Sequence, residues 1–434
     1  MYLIHTYNIL KSRYKSSILL KDLELITNSY NESMVDIKEE NVEKLVKNYS
    51  SYNEQKVSCA ILTKNEERNI ERCISGVIGN FDEVIVVDAG SNDNTLSLIN
   101  KKYPQVKTYI EPWQGDFSLQ RNKAIQYTSN DWIFFIDADN YMEPTEDNII
   151  KRIAKVVSYL DIPGVISPHI IEHDQSISID TRKMFRKSDK VKFFGKVHEE
   201  PLYISKKTPS NIVANINIYH DGYDPKKTNL TEKTYRNLDL VKQMIKEDSR
   251  NPKWYYFYAR ALYILNQDRE MVRSYLLQGL KLSEQWNDKR YYANIISNLC
   301  RLSYETHNFK DLKLYNSLLS ECTHNCSDVD YYNTVILLFS LLNKMDNLRD
   351  ILSSSIQKYK CENYHSFINQ THEHISGLLI QMELTLGRYD NALYLLDNLK
   401  DEEIKGEFIT KIYDINERTS NYINSMNKNM FIRS

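Results

Sequence analysis

The residues best suited to chemistry are Asp137-Ala138-Asp139, set directly after the apolar run Trp132-Ile133-Phe134-Phe135-Ile136. Carboxylates at i and i+2, at the carboxyl end of a strand, can turn toward one cation once the chain bends into a loop. Oxygen donors of this kind suit Mg2+ or Mn2+ beside a diphosphate. Taken alone, the pattern is met as well by two solvated loop carboxylates; its surroundings favour the metal. Val84 to Val87 runs into Asp88-Ala89-Gly90-Ser91-Asn92-Asp93-Asn94-Thr95, an acidic, glycine-containing turn at the head of a helix. There Asp88 can bond a uracil or ribose edge, while Ser91 and Thr95 suit helix capping. Thr63-Lys64-Asn65-Glu66-Glu67 follows a third apolar run, Val57 to Leu62. If the three runs are strands of one sheet with right-handed crossovers, their polar ends converge on one edge.

The elements that must position these clusters alternate. Val57 to Leu62, Glu83 to Val87 and Trp132 to Ile136 read as strands; Glu67 to Ile78, Asn94 to Tyr103 and Ser118 to Tyr127 read as helices. The alternation implies an α/β layer sandwich with a mainly parallel sheet over residues 56–225. Ahead of it, residues 1–55 carry the stripe of amphipathic helices: Leu3, Tyr7, Leu10, Tyr14 and Ile18, then Val42, Leu45, Val46 and Tyr49, with a polar break around Ser29 to Ser33. Over residues 226–434 strand signals fade and a helix, polar turn, helix unit recurs at Asn266–Leu280, Asn308–Leu319, Met345–Leu352 and Leu386–Leu399. Its period of about 40 residues is that of stacked helical hairpins. The clearest unit, Asn251 to Leu282, resembles a degenerate tetratricopeptide (TPR) repeat.

Composition bounds the rest. With 434 residues, 41% hydrophobic, and only 11 glycines and 9 prolines, the chain can bury two or three cores and is neither collagen-like nor largely disordered. A formal charge of −2 supplies no general field for nucleic acid or an anionic membrane. No apolar run approaches the ~20 residues of a membrane span and no signal-peptide pattern is seen, so a cytoplasmic protein is expected. Six dispersed cysteines read as reduced thiols.

The motifs at the strand ends, with Phe117-Ser118-Leu119-Gln120-Arg121-Asn122, Asp137-Ala138-Asp139-Asn140, Asp180-Thr181-Arg182-Lys183-Met184-Phe185-Arg186, Gly195-Lys196-Val197-His198-Glu199-Glu200-Pro201 and Tyr219-His220-Asp221-Gly222-Tyr223, follow one another as in family 2 glycosyltransferases. The order continues into Asn251-Pro252-Lys253-Trp254, and with helices at both ends the whole chain resembles the group that modifies bacteriocin (glycocin) precursor peptides. That resemblance implies an α/β GT-A nucleotide-sugar (Rossmann-like) domain, an N-terminal helical segment and a C-terminal TPR-like α-helical domain. It also implies inverting transfer of a hexose, commonly glucose, from a UDP-sugar to a Cys or Ser side chain of a small peptide. Mg2+ or Mn2+ is implied at Asp137, Asp139 and His220. By the same resemblance, Thr63, Asn65, Glu66, Asp88, Arg121, Asp137 and Ala138 are expected to face the nucleotide sugar, and Glu199, or next Glu200, is expected to be the base. His198 is a substrate ligand or wall. Arg121 stands near the donor phosphates or positions its loop. Arg182 and Arg186 contact diphosphate or sit on the surface, and Trp113 stacks on a sugar or on the core. A homodimer is expected.

Two other readings are carried alongside: a family 2 enzyme acting on a cell-envelope saccharide, and a non-catalytic TPR-like scaffold. Cys322-Thr323-His324-Asn325-Cys326 lacks a second ligand pair for zinc, and His372-Glu373-His374 is not H-E-x-x-H.

Overall fold

A computed structural model describes residues 2–28, 35, 41–143, 148–220, 230–361 and 365–431, with side chains for all of these but 230, 359–361 and 422–431. The polar break at Ser29–Ser33, and Asp221, Gly222 and Tyr223 of the late motif, lie outside the described residues. The chain divides into two compact units, Met1–Ile295 and Ile296–Ser434.

The first unit opens with helices α1 (Leu3–Arg13), α2 (Ile18–Leu23) and α3 (Val42–Tyr49). The stripe expected to run through Tyr14 to Ile18 is interrupted there, because Ser17 caps α2 by accepting from the Leu20 amide. The alternating region then gives β1 (Val57–Thr63), α4 (Ile70–Val77), β2 (Glu83–Asp88), α5 (Thr95–Lys102), β3 (Lys107–Ile110), α6 (Phe117–Tyr127), β4 (Trp132–Asp137), β5 (Asn140–Tyr141) and α7 (Ile149–Tyr159). After it come β6 (Val165–Glu172), β7 (Ile177–Ser178), β8 (Met184–Arg186), β9 (Val191–Phe194), β10 (Glu200–Tyr203) and β11 (Asn211–His220). Helices α8 (Leu230–Glu247), α9 (Pro252–Ile264) and α10 (Arg269–Gln285) complete the unit.

The main sheet runs β3-β2-β1-β4-β8-β6-β11-β5. Its first four strands are parallel, as the alternation implies. Beyond β4 the sheet is mixed: β8 is antiparallel to β4 and β6, while β6 and β11 are parallel. The expectation of a mainly parallel sheet therefore holds for the half built from short βα units. Alternation along the central strands splits the core. Cys59, Ile61, Val86, Phe134 and Ile136 face one buried layer, and Ala60, Ile85, Val87, Ile133 and Phe135 face the other, with Ala124 of α6. The N-terminal helices are tied to α7 by Asp22, which accepts from the Tyr49 hydroxyl (2.6 Å) and from Arg152 (2.7 Å).

At the opposite end of the parallel strands from the polar motifs, Glu83 links β1, β3 and the entry to β4. It accepts from Ser58 (2.7 Å), Lys107 (2.7 Å) and the Ser129 amide (2.7 Å) and hydroxyl (2.7 Å). Burial opposes its ionisation, but Lys107 and these donors outweigh burial and bring the carboxyl down from 4.5 to about 2. A depressed carboxyl stabilises the fold fully above its unfolded value, and that contribution disappears as pH falls through its folded value. Glu83→Gln is therefore expected to lower the melting temperature at pH 7, with the deficit relative to wild type closing between about pH 4.5 and 2 in a thermal-melt series.

The second unit is helical: α12 (Phe309–Cys322), α13 (Ser327–Cys361), α14 (Glu373–Thr385), α15 (Tyr389–Asp397) and α16 (Glu402–Phe431), entered by α11 (Tyr292–Glu305), which begins in the first unit. The hairpin turns after α9, α11 and α14 each hold a residue at positive φ, Asn266 (53°), His307 (55°) and Gly387 (73°), the left-handed stop that ends a helix. The first two turns are 41 residues apart and the last two 80, close to twice that spacing. The unit expected at Met345–Leu352 is the correction. It lies within the unbroken 35-residue α13, because Asn343-Lys344-Met345-Asp346-Asn347 holds neither glycine nor proline and no residue there turns to positive φ.

Candidate active site

Strand register brings the first three motifs together. Thr63 pairs with Asp88, and Leu62 with Asp137, so the ends of β1, β2 and β4 share one sheet edge. The loops there are woven by local polar bonds. Asn65, at φ 56°, donates its amide to Ser91 Oγ (2.8 Å) and accepts from the Asn92 amide (2.8 Å). The Glu66 amide donates to Thr95 Oγ1 (2.8 Å). Asp88 is wholly buried and accepts from the Gly90 and Ser91 amides (2.9 and 2.8 Å) and the Ser91 hydroxyl (2.5 Å). Its carboxylate thus shapes the turn, and Ser91 acts with it. Thr63 Oγ1 is buried at the same edge without a partner among the described residues. Ala138 is buried and donates its amide to Leu62 (3.3 Å).

The two carboxylates of the Asp137-Ala138-Asp139 motif separate in role. Both oxygens of Asp137 are engaged, Oδ1 by Arg121 Nη2 (2.9 Å) and Oδ2 by Lys183 Nζ (2.5 Å). Burial works against its charge, but the two cations outweigh burial and hold the carboxyl well below its usual range. Asp139 instead meets His220, whose Nε2 lies 3.3 Å from Asp139 Oδ2. His220 ends β11, in register with Glu172 of β6 and Asn140 of β5. Its Nδ1 is 2.8 Å from Glu172 Oε2. Burial disfavours the imidazolium, yet Asp139 and Glu172 outweigh burial and raise its pKa. Burial also raises Glu66, with Asp139 adding to it.

A carboxylate oxygen facing an imidazole nitrogen, whose other nitrogen is fixed on a second carboxylate, is a donor set that fits Mg2+ or Mn2+. An outer carboxylate commonly orients a ligating histidine, and Mg2+ typically takes few protein ligands, leaving places for substrate phosphate. Among the described residues no group of three His, Cys, Asp or Glu side chains is assembled as a metal cage. Glu172→Gln is expected to weaken Mn2+ binding at least tenfold, on the order of the usual outer-shell loss, measured by calorimetry with UDP present; unchanged affinity would remove Glu172 from the site.

The Gly195–Pro201 segment resolves its two acids. Glu199 Oε1 accepts from Arg121 Nε (2.5 Å), and among the described residues its other oxygen accepts no hydrogen bond. Glu200 is engaged through both oxygens, by Lys253 of α9 and by Arg290 (2.6 Å). Arg121 therefore bridges Glu199 to Asp137. It is 8% exposed, and its Nη1 is buried without a partner among the described residues. His198, at φ 50°, lies flat on Phe257 of α9, with centroids 3.7 Å apart and planes at 8°. Burial, then Lys253, Arg260 and Lys233, push its pKa down to about 3, so the ring is neutral at pH 7.

Other sequence candidates take structural places. Arg182 bonds Asp180 (2.6 Å) and the Pro209 carbonyl (2.7 Å); Arg186 pairs with Asp189 (3.0 Å) and Asp161 (3.2 Å). Trp113 packs on Phe117. Sequence reasoning missed Glu172, Phe257 and Arg290, and did not single out Lys253. Lys253 sits in the Asn251–Trp254 motif, whereas Glu172 carries no local signal, its role depending on β6–β11 register.

The helical hairpin also braces the Glu199 loop. A Cβ on Gly195, at φ 103°, would stand 2.7 Å from Trp254 Cη2. Gly195→Ala is expected to destabilise the protein by about 1–3 kcal/mol through overpacking and strain, read as an earlier denaturant midpoint; an unchanged midpoint would mean that α9 yields freely.

Comparison with known proteins is consistent with this geometry. The family described as glycosyl transferase family 2 matches residues 58–218. The SPbeta prophage-derived glycosyltransferase SunS of Bacillus subtilis (strain 168) is 35% identical over 407 residues, covering 94% of this chain and 95% of that protein. A TPR repeat-containing protein of Synechococcus elongatus is 29% identical over 147 residues, 33% of this chain and 34% of its own. The crystal structure of S. aureus TarS 1–349 in complex with UDP aligns at TM-score 0.32 and 13% identity, over 66% of this chain and 91% of that chain. With the likeness to SunS sustained across nearly its whole length, and the family's motifs gathered on converging strand ends, this chain belongs to the family 2 glycosyltransferases and has their GT-A fold beside a helical region.

Proposed function

We propose that this glycosyltransferase transfers a hexose, glucose first among them, from a UDP-sugar to a Cys or Ser side chain of a small bacteriocin precursor peptide, with inversion at the anomeric carbon. The observation that carries the catalytic part is the asymmetry of the adjacent acids: Glu199 is anchored by one oxygen and open at the other, whereas Glu200 is closed at both. An inverting transfer needs one carboxylate able to take the acceptor's proton. Glu199 Oε2 is that atom; Glu200 is a strut between the loop and α9.

Asp139 and His220 would hold Mg2+ or Mn2+, which when bound offsets the charge that grows on the departing diphosphate. Asp137 keeps Arg121 charged and aimed, and Arg121 in turn orients Glu199. Thr63, Asn65, Glu66, Asp88 and Ala138 form the loops on which the nucleotide sugar rests. Residues 1–55, 56–225 and 226–434 are kept as helical segment, transfer domain and TPR-like region, the last supplying peptide contacts and a dimer interface. A cytoplasmic location is part of this proposal; no helix among the described residues is long and apolar enough to cross a membrane.

The test is incubation with UDP-glucose, Mn2+ or Mg2+ and a panel of Cys- and Ser-containing peptides, read by intact mass. Addition of a hexose to a peptide supports the reading. Transfer confined to glycan acceptors, or binding of UDP-glucose without turnover in any mixture, would overturn it.

A further inference from the structure

On the Glu199 side of the Arg121–Asp137–Lys183 ion pairs lies a pocket of about 250 Å³, and part of its wall comes from outside the sheet. Arg121, Lys183 and Glu199 line it together with Phe257 of α9 and Tyr291, which follows α10. His198 stacks on Phe257, and Tyr291 meets the same ring edge-on at 5.5 Å and 66°. These three rings make an aromatic corner. Among Pro252–Ala259 of α9, Phe257 alone is only partly buried, so its ring remains open to a ligand while its neighbours fill the core.

Two features of this pocket stand out. Arg121, on its wall, is fixed through Nε on Glu199 and Nη2 on Asp137, which holds the Glu199 carboxylate in place beside the cavity. The neutral His198 ring makes no hydrogen bond among the described residues. The volume is below the roughly 300–1,000 Å³ of pockets for drug-sized ligands, so one side chain or one sugar ring fits and a nucleotide does not. Asp88, Asp139 and His220 are absent from its lining, which separates it from the edge where the diphosphate is proposed to rest.

We propose that this pocket is the acceptor subsite, and that His198 and Phe257 determine specificity by receiving the uncharged thiol or hydroxyl side chain that reacts. This rests on the donor reading above. In the step itself the acceptor sulfur or oxygen bonds to the anomeric carbon, the bond from that carbon to the diphosphate oxygen breaks, the acceptor proton passes to Glu199 Oε2, and UDP departs. Helix α9 is thereby part of the reaction chamber as well as of the helical region.

The test uses the full chain with Mn2+, UDP-glucose and two probes at millimolar concentration, the tripeptides Gly-Cys-Gly and Gly-Ser-Gly. The two arms distinguish thiol from hydroxyl. Wild type is expected to place one hexose on at least one of them. Phe257→Ala is expected to raise the KM for that tripeptide about tenfold, as loss of an aromatic contact would, while the Kd for UDP-glucose from calorimetry changes less than twofold. Phe257→Leu and His198→Gln, with the same two readouts, serve if the alanine variant does not fold. The inference is overturned if KM is unmoved, if the UDP-glucose Kd rises by the same factor (which assigns the pocket to the donor sugar), or if wild type binds and slowly hydrolyses UDP-glucose yet modifies neither tripeptide. Wild type that does not bind UDP-glucose at all would instead refute the donor reading, and this inference with it.

Discussion

Asp139→Asn is expected to cut hexose transfer by at least a hundredfold at saturating UDP-glucose, a loss of about 3 kcal/mol or more of transition-state stabilisation. Asp139 makes few demands on the fold: among the described residues its side chain bonds only His220, and it is 22% exposed. The variant should therefore melt within a few degrees of wild type. Its Mn2+ affinity in calorimetry should fall together with turnover, and excess Mn2+ should restore part of the rate. Full activity in the variant, or a rate insensitive to chelators, would refute the assignment. Asp137→Asn supplies the contrast. Asp137 neutralises two cations whose own side chains are largely buried, so this change should lower stability as well as turnover.

Glu199→Gln is the second large effect, an expected 10²–10⁴-fold loss, on the order of what a positioned general base contributes. The amide preserves size and still accepts from Arg121 through its oxygen, but it cannot take a proton. A Ser acceptor should suffer more than a Cys acceptor, because a thiol with pKa near ~8.5 is already a few per cent ionised at neutral pH. Equal losses on the two acceptors would count against Glu199 as base. Glu200→Gln should behave differently. It leaves Lys253 and Arg290 facing a neutral group in a buried setting, so its main signature is a lower melting temperature.

Much of this site was legible in local pattern. The strands ending at Thr63, Asp88 and Asp137 are short apolar runs followed by polar turns, and parallel pairing of runs joined by helices leaves few ways to arrange their ends. The motifs therefore place these three strand ends on one edge, as the strand register does. They also offer His220 and Glu199 as candidates. What they could not express was which oxygen of which acid is occupied.

By itself, then, the amino-acid order determined the alternating α/β region, the helical flanks and the converging acidic loops, because hydrophobic period and turn chemistry act over a few residues. Tertiary structure alone decided that Asp137 serves Arg121 and Lys183, that Glu172 orients His220, that Glu200 is closed while Glu199 is open, and that α9 walls a pocket. Those pairings join residues 16 to 90 apart, all but the Arg121–Asp137 pair by more than 45. They follow from sheet order, strand register and the docking of a helix, none of which any window of neighbouring residues contains.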